Sequence, residues 1–245
     1  MSDFRNQVAL VTGASRGIGA SIARMLAEGG ADVVINYHSK SHRALEVANV
    51  VRAHGCQALL AQADITNESE MKEMMNLVEK QFGKLNLLIL NASGGMEKDK
   101  AADYAMQLNL TAQLRAVDMS IPLMPAGGRI VFVTSHLAHF YSQKPVYPIY
   151  ETVAKSKKAG EEALRARIPQ LAAKGIKLVV VSGDLIEGTI TPKLMQRQDP
   201  NLIESRRKSA GFLPTVEDFA RVIVNAARDR NLESGATIFV GSTEW

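Results

Sequence analysis

Two groups of residues have the types and spacing that chemistry requires. The first is Thr12-Gly13-Ala14-Ser15-Arg16-Gly17-Ile18-Gly19, which stands between the apolar run Val8–Val11 and a helix-patterned segment from Ala20 to Glu28. Glycines spaced G-x-x-x-G-x-G let the backbone turn sharply and approach a pyrophosphate, while the N–H groups opening the next helix face the phosphates. The turn reads as a dinucleotide site. The second group is a serine, a phenol and a set of lysines: Ser135, Tyr150, Lys155 and Lys157. A helix advances about 100° per residue, so i+7 returns to within about 20° of the starting face while i+5 points about 140° away. Lys157 therefore shares the face of Tyr150. Hydride transfer to a carbonyl needs a proton donor beside the developing alkoxide, a second donor on the oxygen, and a cation to make a phenol acidic enough. Ser135, Tyr150 and Lys157 are of the types that can fill those roles, and Tyr147 and Tyr141 compete for the acid.

The elements that must position them alternate along the chain. Short β-branched runs at Val8–Val11, Asp32–Asn36, 57–61, 85–90, 128–134, 177–182 and 236–240 read as strands. Helical patterns near 17–28, 40–54, 67–82, 101–122, 150–173 and 215–229 fall between them, the last opening at Pro214 and Thr215. Such alternation, with near-continuous apolar strands, predicts an α/β fold: a doubly wound, seven-stranded parallel sheet with helices on both faces. Ligands then bind at the carboxyl ends of the strands. Thr12 to Gly19, Asn36 to Lys40, Asp64, Asn91 to Gly95, Ser135 and Ser182 to Thr191 all fall there.

An acid at the end of the second strand would accept the ribose 2′-hydroxyl of NADH and repel a 2′-phosphate. Here the strand ends Asn36-Tyr37-His38-Ser39-Lys40, with no acid. Arg16 in the glycine turn, with Lys40 or Arg43 opposite, suits a 2′-phosphate, so NADPH is the expected cofactor. Asn36, Tyr37, Ser39 and Lys40 are its expected neighbours.

The glycine turn with the ordered serine, tyrosine and lysine resembles the short-chain dehydrogenase/reductase family, and the resemblance runs over essentially the whole chain. It implies a single-domain Rossmann fold over residues 1–245 and an NADP-dependent oxidoreductase. It places Gly13, Ser15, Arg16, Gly17, Ile18 and Gly19 at the pyrophosphate, Asp64 and Ile65 at the adenine, and Asn91, Ala92, Ser93 and Gly94 near the ribose. Ser135 would polarise the substrate oxygen, Tyr150 would be the acid, and Lys157 would hold the nicotinamide ribose and lower the phenol pKa. Asn109, in Gln107-Leu108-Asn109-Leu110, matches the helix asparagine that supports the lysine through water. Two departures stand out. The family usually shows Tyr-x3-Lys, whereas Tyr150 and Lys157 give Tyr-x6-Lys, a spacing similar to the divergent branch that includes enoyl-thioester reductases. After the sixth strand the family commonly has Pro-Gly; this chain has Ser182-Gly183-Asp184-Leu185-Ile186. Ile186 still falls where a backbone group would meet the carboxamide.

Composition sets the outer limits. Of 245 residues 46% are hydrophobic and 22% charged, ample for a core. A net charge of +4, with bases scattered among acids, gives no reason to infer nucleic acid. No run reaches a membrane span, the N-terminus lacks a secretory pattern, and the lone Cys56 has no partner for a disulfide or zinc. No metal is expected, and a cytoplasmic setting fits. Residues 189–213 mix apolar side chains with Arg197, Arg206, Arg207 and Lys208 and are expected to form a mobile lid over a small-molecule or acyl-thioester substrate. By resemblance the chain is a homodimer or homotetramer. Three activities remain open: reduction of a 3-oxoacyl-type carbonyl, enoyl-thioester reduction, and a non-catalytic NADPH-binding regulatory role.

Overall fold

A computed structural model describes residues 3–97 and 99–245. Seven strands, β1 (Val8–Val11), β2 (Asp32–Tyr37), β3 (Ala58–Gln62), β4 (Leu87–Leu90), β5 (Arg129–Ser135), β6 (Lys177–Gly183) and β7 (Thr237–Val240), form one sheet in the order β3-β2-β1-β4-β5-β6-β7. Every pairing is parallel. All residues of β1 and β4 are buried, as strands covered on both faces must be. The direction of winding reverses between β1 and β4, which opens a crevice at their carboxyl ends.

Helices α1 (Gly17–Glu28), α2 (Ser41–Ala53) and α11 (Val216–Arg228) cover one face of the sheet, and α3 (Glu68–Phe82) and α5 (Ala112–Ser120) the other. The predicted start of α11 carries a capping box: the Thr215 hydroxyl accepts from the Asp218 N–H, and the Asp218 carboxylate accepts from the Thr215 N–H. The short α4 (Tyr104–Met106) and α6 (His136–His139) flank the crevice, and α7 (Glu151–Ala166) runs into α8 (Ile168–Ala172).

Two expected helices differ in the structure. The 101–122 pattern is not one helix: α4 passes through a π-helical turn at Gln107–Thr111 into α5, and a 3₁₀ turn at Ile121–Leu123 ends it. The wider turn rotates Asn109 inward to 1% exposure. The 150–173 pattern begins as a 3₁₀ turn at Pro148–Tyr150 and breaks at Arg167, where Pro169 enters the first turn of α8. Strand limits move by one or two residues, most at β4, where Asn86, bonded through its backbone to Val8 and Arg129, also accepts the Val8 N–H with its side chain at 2.9 Å.

Residues 189–213 hold two helices, α9 (Ile190–Gln198) and α10 (Leu202–Ala210), around a third apolar cluster that contains Leu137, Tyr150, Val153, Leu185, Met195 and Leu213. No helix among the described residues is long and apolar enough to cross a membrane.

Candidate active site

The glycine turn is fixed from three sides. Gly13 and Gly17 have φ of 66° and 52°, in the left-handed region where a side chain is strained. A Cβ on Gly19 would come within 2.5 Å of the Gly13 carbonyl oxygen and 2.7 Å of Asn91 Nδ2. Only glycine lets the start of α1 close on the turn. Asn91 Nδ2 donates to the Thr12 carbonyl at 2.9 Å, and the Thr12 hydroxyl accepts from the N–H groups of Asn91 and Ala92. Asn36, 2% exposed, accepts the Gly13 N–H and donates to the carbonyls of Ala61 and Ala63. Both asparagines were expected at the cofactor; their side-chain hydrogen bonds go to the protein and hold the turn.

The turn opens into a cavity of about 1140 Å³. Every expected cofactor residue lines it: Gly13, Ser15, Arg16, Gly17, Ile18, Gly19, Asn36, Tyr37, Ser39, Lys40, Asp64, Ile65, Asn91, Ala92, Ser93, Gly94, Lys157 and Ile186. Nothing lies within 4 Å of where a Gly17 Cβ would stand, and no side chain caps the amino end of α1. Arg16, Lys40 and Arg43 are exposed at one rim, with no ion-pair partner among the described residues. At Asp64, burial acts to raise the carboxyl pKa but hydrogen bonds from Thr66 lower it further, so the group stays ionised. Its Oδ1 is committed to Thr66, while Oδ2 faces His38 at 3.7 Å. Among the described residues the Ile186 N–H donates to no protein group.

Ser135 ends β5 and caps α6, accepting the Ala138 N–H at 3.2 Å. Its Oγ lies 3.1 Å from the Tyr150 hydroxyl, which the 3₁₀ turn before α7 delivers to the same wall. Tyr150 is 5% exposed, and burial raises its phenol pKa against the Ser135 hydrogen bond, so the free protein keeps it protonated. Lys157, two turns into α7, is 7% exposed, and its ammonium has no ion-pair partner among the described residues. Burial lowers its pKa from 10.5 to about 8, opposed by Glu161. Lys155 is exposed on the opposite face, so the two lysines part as helix geometry requires. Val153 occupies the position that a Tyr-x3-Lys spacing would give to tyrosine, and it too lines the cavity.

Asn109 was expected to support Lys157 through water. Its Nδ2 donates to the Gly94 carbonyl at 2.8 Å and to Ser156 Oγ at 3.0 Å, tying the loop after β4 to the residue beside Lys157. Its Oδ1 is buried without a protein partner. Of the other tyrosines, Tyr147 lines the cavity and Tyr141 points to Glu151 at 3.5 Å.

A parallel sheet with a glycine cradle at its switch point, and a serine, a phenol and a buried ammonium on one wall, defines a dinucleotide-dependent oxidoreductase. The family model for short-chain dehydrogenases matches residues 7–199, and the chain belongs to that family. It is 31% identical over 189 residues to 1-cyclohexenylcarbonyl-CoA reductase of Streptomyces collinus, a match covering 75% of this chain and 66% of that protein. It is 32% identical over 209 residues to the 3-oxoacyl-[acyl-carrier-protein] reductase FabG of Staphylococcus epidermidis, covering 81% of this chain and 83% of that one. Among solved structures, the angucycline C-6 ketoreductase LanV with bound NADP superposes with a TM-score of 0.80 at 27% identity, over 98% of this chain and 96% of that one.

Proposed function

We propose that this chain reduces a carbonyl with NADPH as the hydride source. The observation that carries the reading is the 3.1 Å approach of Ser135 Oγ to the Tyr150 hydroxyl on the wall of the cavity. Ala138 occupies one lone pair of the serine oxygen, which leaves its O–H to donate. A carbonyl oxygen seated between the two hydroxyls would accept from both, and Tyr150 would release its proton as negative charge builds there. Bound NADPH would supply the hydride. Lys157, on the same face of α7 as Tyr150, would hold the ribose, its charge stabilising the phenolate left behind. Gly17 and the uncapped amino end of α1 would receive the pyrophosphate. The unpartnered Ile186 N–H would meet the carboxamide. Arg16, with Lys40 or Arg43, would hold the 2′-phosphate. The 3-oxoacyl reductase and ketoreductase named above support the same chemistry.

The Tyr-x6-Lys spacing favours a second reading, enoyl-thioester reduction, because Tyr150 stands one turn earlier than the family's usual tyrosine. The deciding experiment follows NADPH oxidation with acetoacetyl-CoA, 1-tetralone and crotonyl-CoA in parallel. Oxidation with a ketone but not the crotonyl ester is the expected result. Oxidation with crotonyl-CoA alone transfers the assignment to enoyl reduction, and NADPH binding without turnover of any of them overturns both in favour of a non-catalytic role.

A further inference from the structure

Asp184 stands where the family commonly has Pro-Gly, and the structure gives that departure a partner. Asp184 and Arg206 are 8% and 3% exposed. Arg206 Nε donates to Asp184 Oδ1 at 2.9 Å and Nη2 to Oδ2 at 2.7 Å, a bidentate fork. Asp184 Oδ1 also accepts the Leu185 N–H at 2.8 Å. Two of the three remaining guanidinium protons reach the segment after β7: Nη1 donates to the Glu244 carbonyl at 2.5 Å and Nη2 to that of Ser242 at 2.7 Å. One planar group thus fastens three stretches of chain, the end of β6, α10 and residues 242–245. An ammonium has no such planar fork.

The next residue along is Trp245, the sole tryptophan of the sequence. Its Nε1 donates to the Pro145 carbonyl at 2.9 Å. The guanidinium of Arg206 lies 5.5 Å from the indole centroid and the ammonium of Lys144 lies 4.8 Å from it. Lys144 also donates to the Thr243 carbonyl. The ring of His136, adjacent in sequence to Ser135, lies parallel to the indole at 6.4 Å. His136 is itself held by Ser182 through Nδ1 at 2.8 Å. Trp245 lines the cavity together with Tyr147, Tyr150, Asp184 and Arg206. Two cations and an imidazole thus lie against the ring and its N–H is held, so the indole is fixed where it lines the cavity.

We propose that Trp245 contacts the substrate and sets the size limit of the group carried on the carbonyl, and that Asp184 and Arg206 are positioning residues that hold it there. Burying an ion pair costs desolvation that its own attraction barely recovers, and apolar replacements are often neutral or stabilising. Stability is therefore a weak reason for this pair; what the fork supplies is the fixed placement of the 242–245 segment against α10 and β6. Residues 189–213 are on this account a wall bolted at Arg206 and not a mobile lid.

The proposal rests on the carbonyl-reductase reading, and the test separates the two. Trp245→Ala, with Trp245→Leu should the alanine variant not fold, is compared with wild type for kcat/KM on cyclohexanone and on 1-tetralone, one ring against two. Opening the stop should raise the ratio for the larger ketone by about tenfold or more, the effect of a pocket change on the scale of a few methylenes, with the Kd for NADPH unaltered. The double variant Asp184→Asn/Arg206→Met, which leaves no lone buried charge, should raise the same ratio and shift Trp245 emission to longer wavelength. A ratio unchanged in the Trp245 variants overturns the proposal. If wild type reduces no ketone, the carbonyl reading fails by itself, and acrylamide quenching of the single tryptophan decides this one: NADP⁺ with 1-tetralone should protect Trp245 in the wild type and not in the double variant, and equal quenching with and without these ligands overturns it.

Discussion

The carbonyl oxygen of Asn109 and the backbone of Gly160 are packed so closely that a Cβ on Gly160 would lie 2.0 Å from that oxygen. The π-helical turn presses Asn109 toward α7, and Ser156, one turn before Gly160, receives the Asn109 amide. The contact sets how near α7, with Tyr150 just before its start and Lys157 in its interior, comes to the π-helical turn. Gly160→Ala must therefore push α7 away from Gln107–Thr111. Overpacking against rigid backbone costs about 1–3 kcal/mol or more, so the denaturant midpoint should fall and kcat should fall with it. A variant of wild-type stability and activity would show that α7 is not seated as described.

Removing either hydroxyl of the Ser135–Tyr150 pair separates chemistry from binding. Tyr150→Phe deletes the proposed acid and should lower kcat by about 10²–10⁴. Ser135→Ala deletes the second donor and should lower it by about 10²–10³. Neither residue is proposed to touch the pyrophosphate or adenine, so NADPH titration monitored by nucleotide fluorescence should give wild-type Kd values. Activity retained in Tyr150→Phe would move the acid role to Tyr147, which lines the cavity and packs against the apolar cluster that contains Tyr150.

Much of this arrangement is legible in the sequence because it is built from local signals. The strands announce themselves as short apolar runs because both faces of the sheet are covered, and the glycine turn because backbone strain and close approach exclude other residues. Helix periodicity separates Lys157 from Lys155, which the structure places buried and exposed respectively. What could not be read depends on distant partners. The π-helical turn at Gln107–Thr111 inserts one residue and shifts the helical phase, and no residue type in that stretch marks it. Asn36 and Asn91 carry the polarity of ligand-binding residues, yet their hydrogen bonds close the turn across sequence separations of 23 and 79 residues. Asp184 reads as a misplaced acid until Arg206 is seen against it.

Cofactor preference should lie in charge at one rim of the cavity. Arg16, Lys40 and Arg43 stand there without acidic partners among the described residues, and β2 ends without a carboxylate. A charge-assisted hydrogen bond contributes about 1.5–3 kcal/mol, roughly 10- to 150-fold in affinity. Arg16→Ala should weaken NADPH by that order while leaving NADH nearly unchanged, as measured by paired fluorescence titrations. Equal losses for both nucleotides would place Arg16 at the pyrophosphate alone.

Lys157 links activity and stability to pH in opposite senses. Burial lowers its pKa from 10.5 to about 8, with Glu161 opposing, so the folded apo protein holds the proton less tightly than the unfolded chain does. Below about pH 8 the lysine is charged in both states, and the cost of burying that charge is about 3 kcal/mol, the free-energy equivalent of the fall in pKa. Between about 8 and 10.5 the unfolded chain binds more protons, so this group makes stability rise with pH until the cost is gone. Lys157→Met should accordingly stabilise the apo protein by up to about 3 kcal/mol near neutrality, with the gain shrinking above pH 8 and disappearing near 10.5. Carbonyl reduction should do the reverse: the wild-type rate should hold at neutral pH and fall as the lysine loses its charge above about 8, and the methionine variant should be nearly inactive throughout. Denaturant unfolding and turnover measured across the same pH series test both arms. A stability difference that does not vary with pH would mean that the ammonium is solvated in the cavity, because only a desolvated charge produces the dependence.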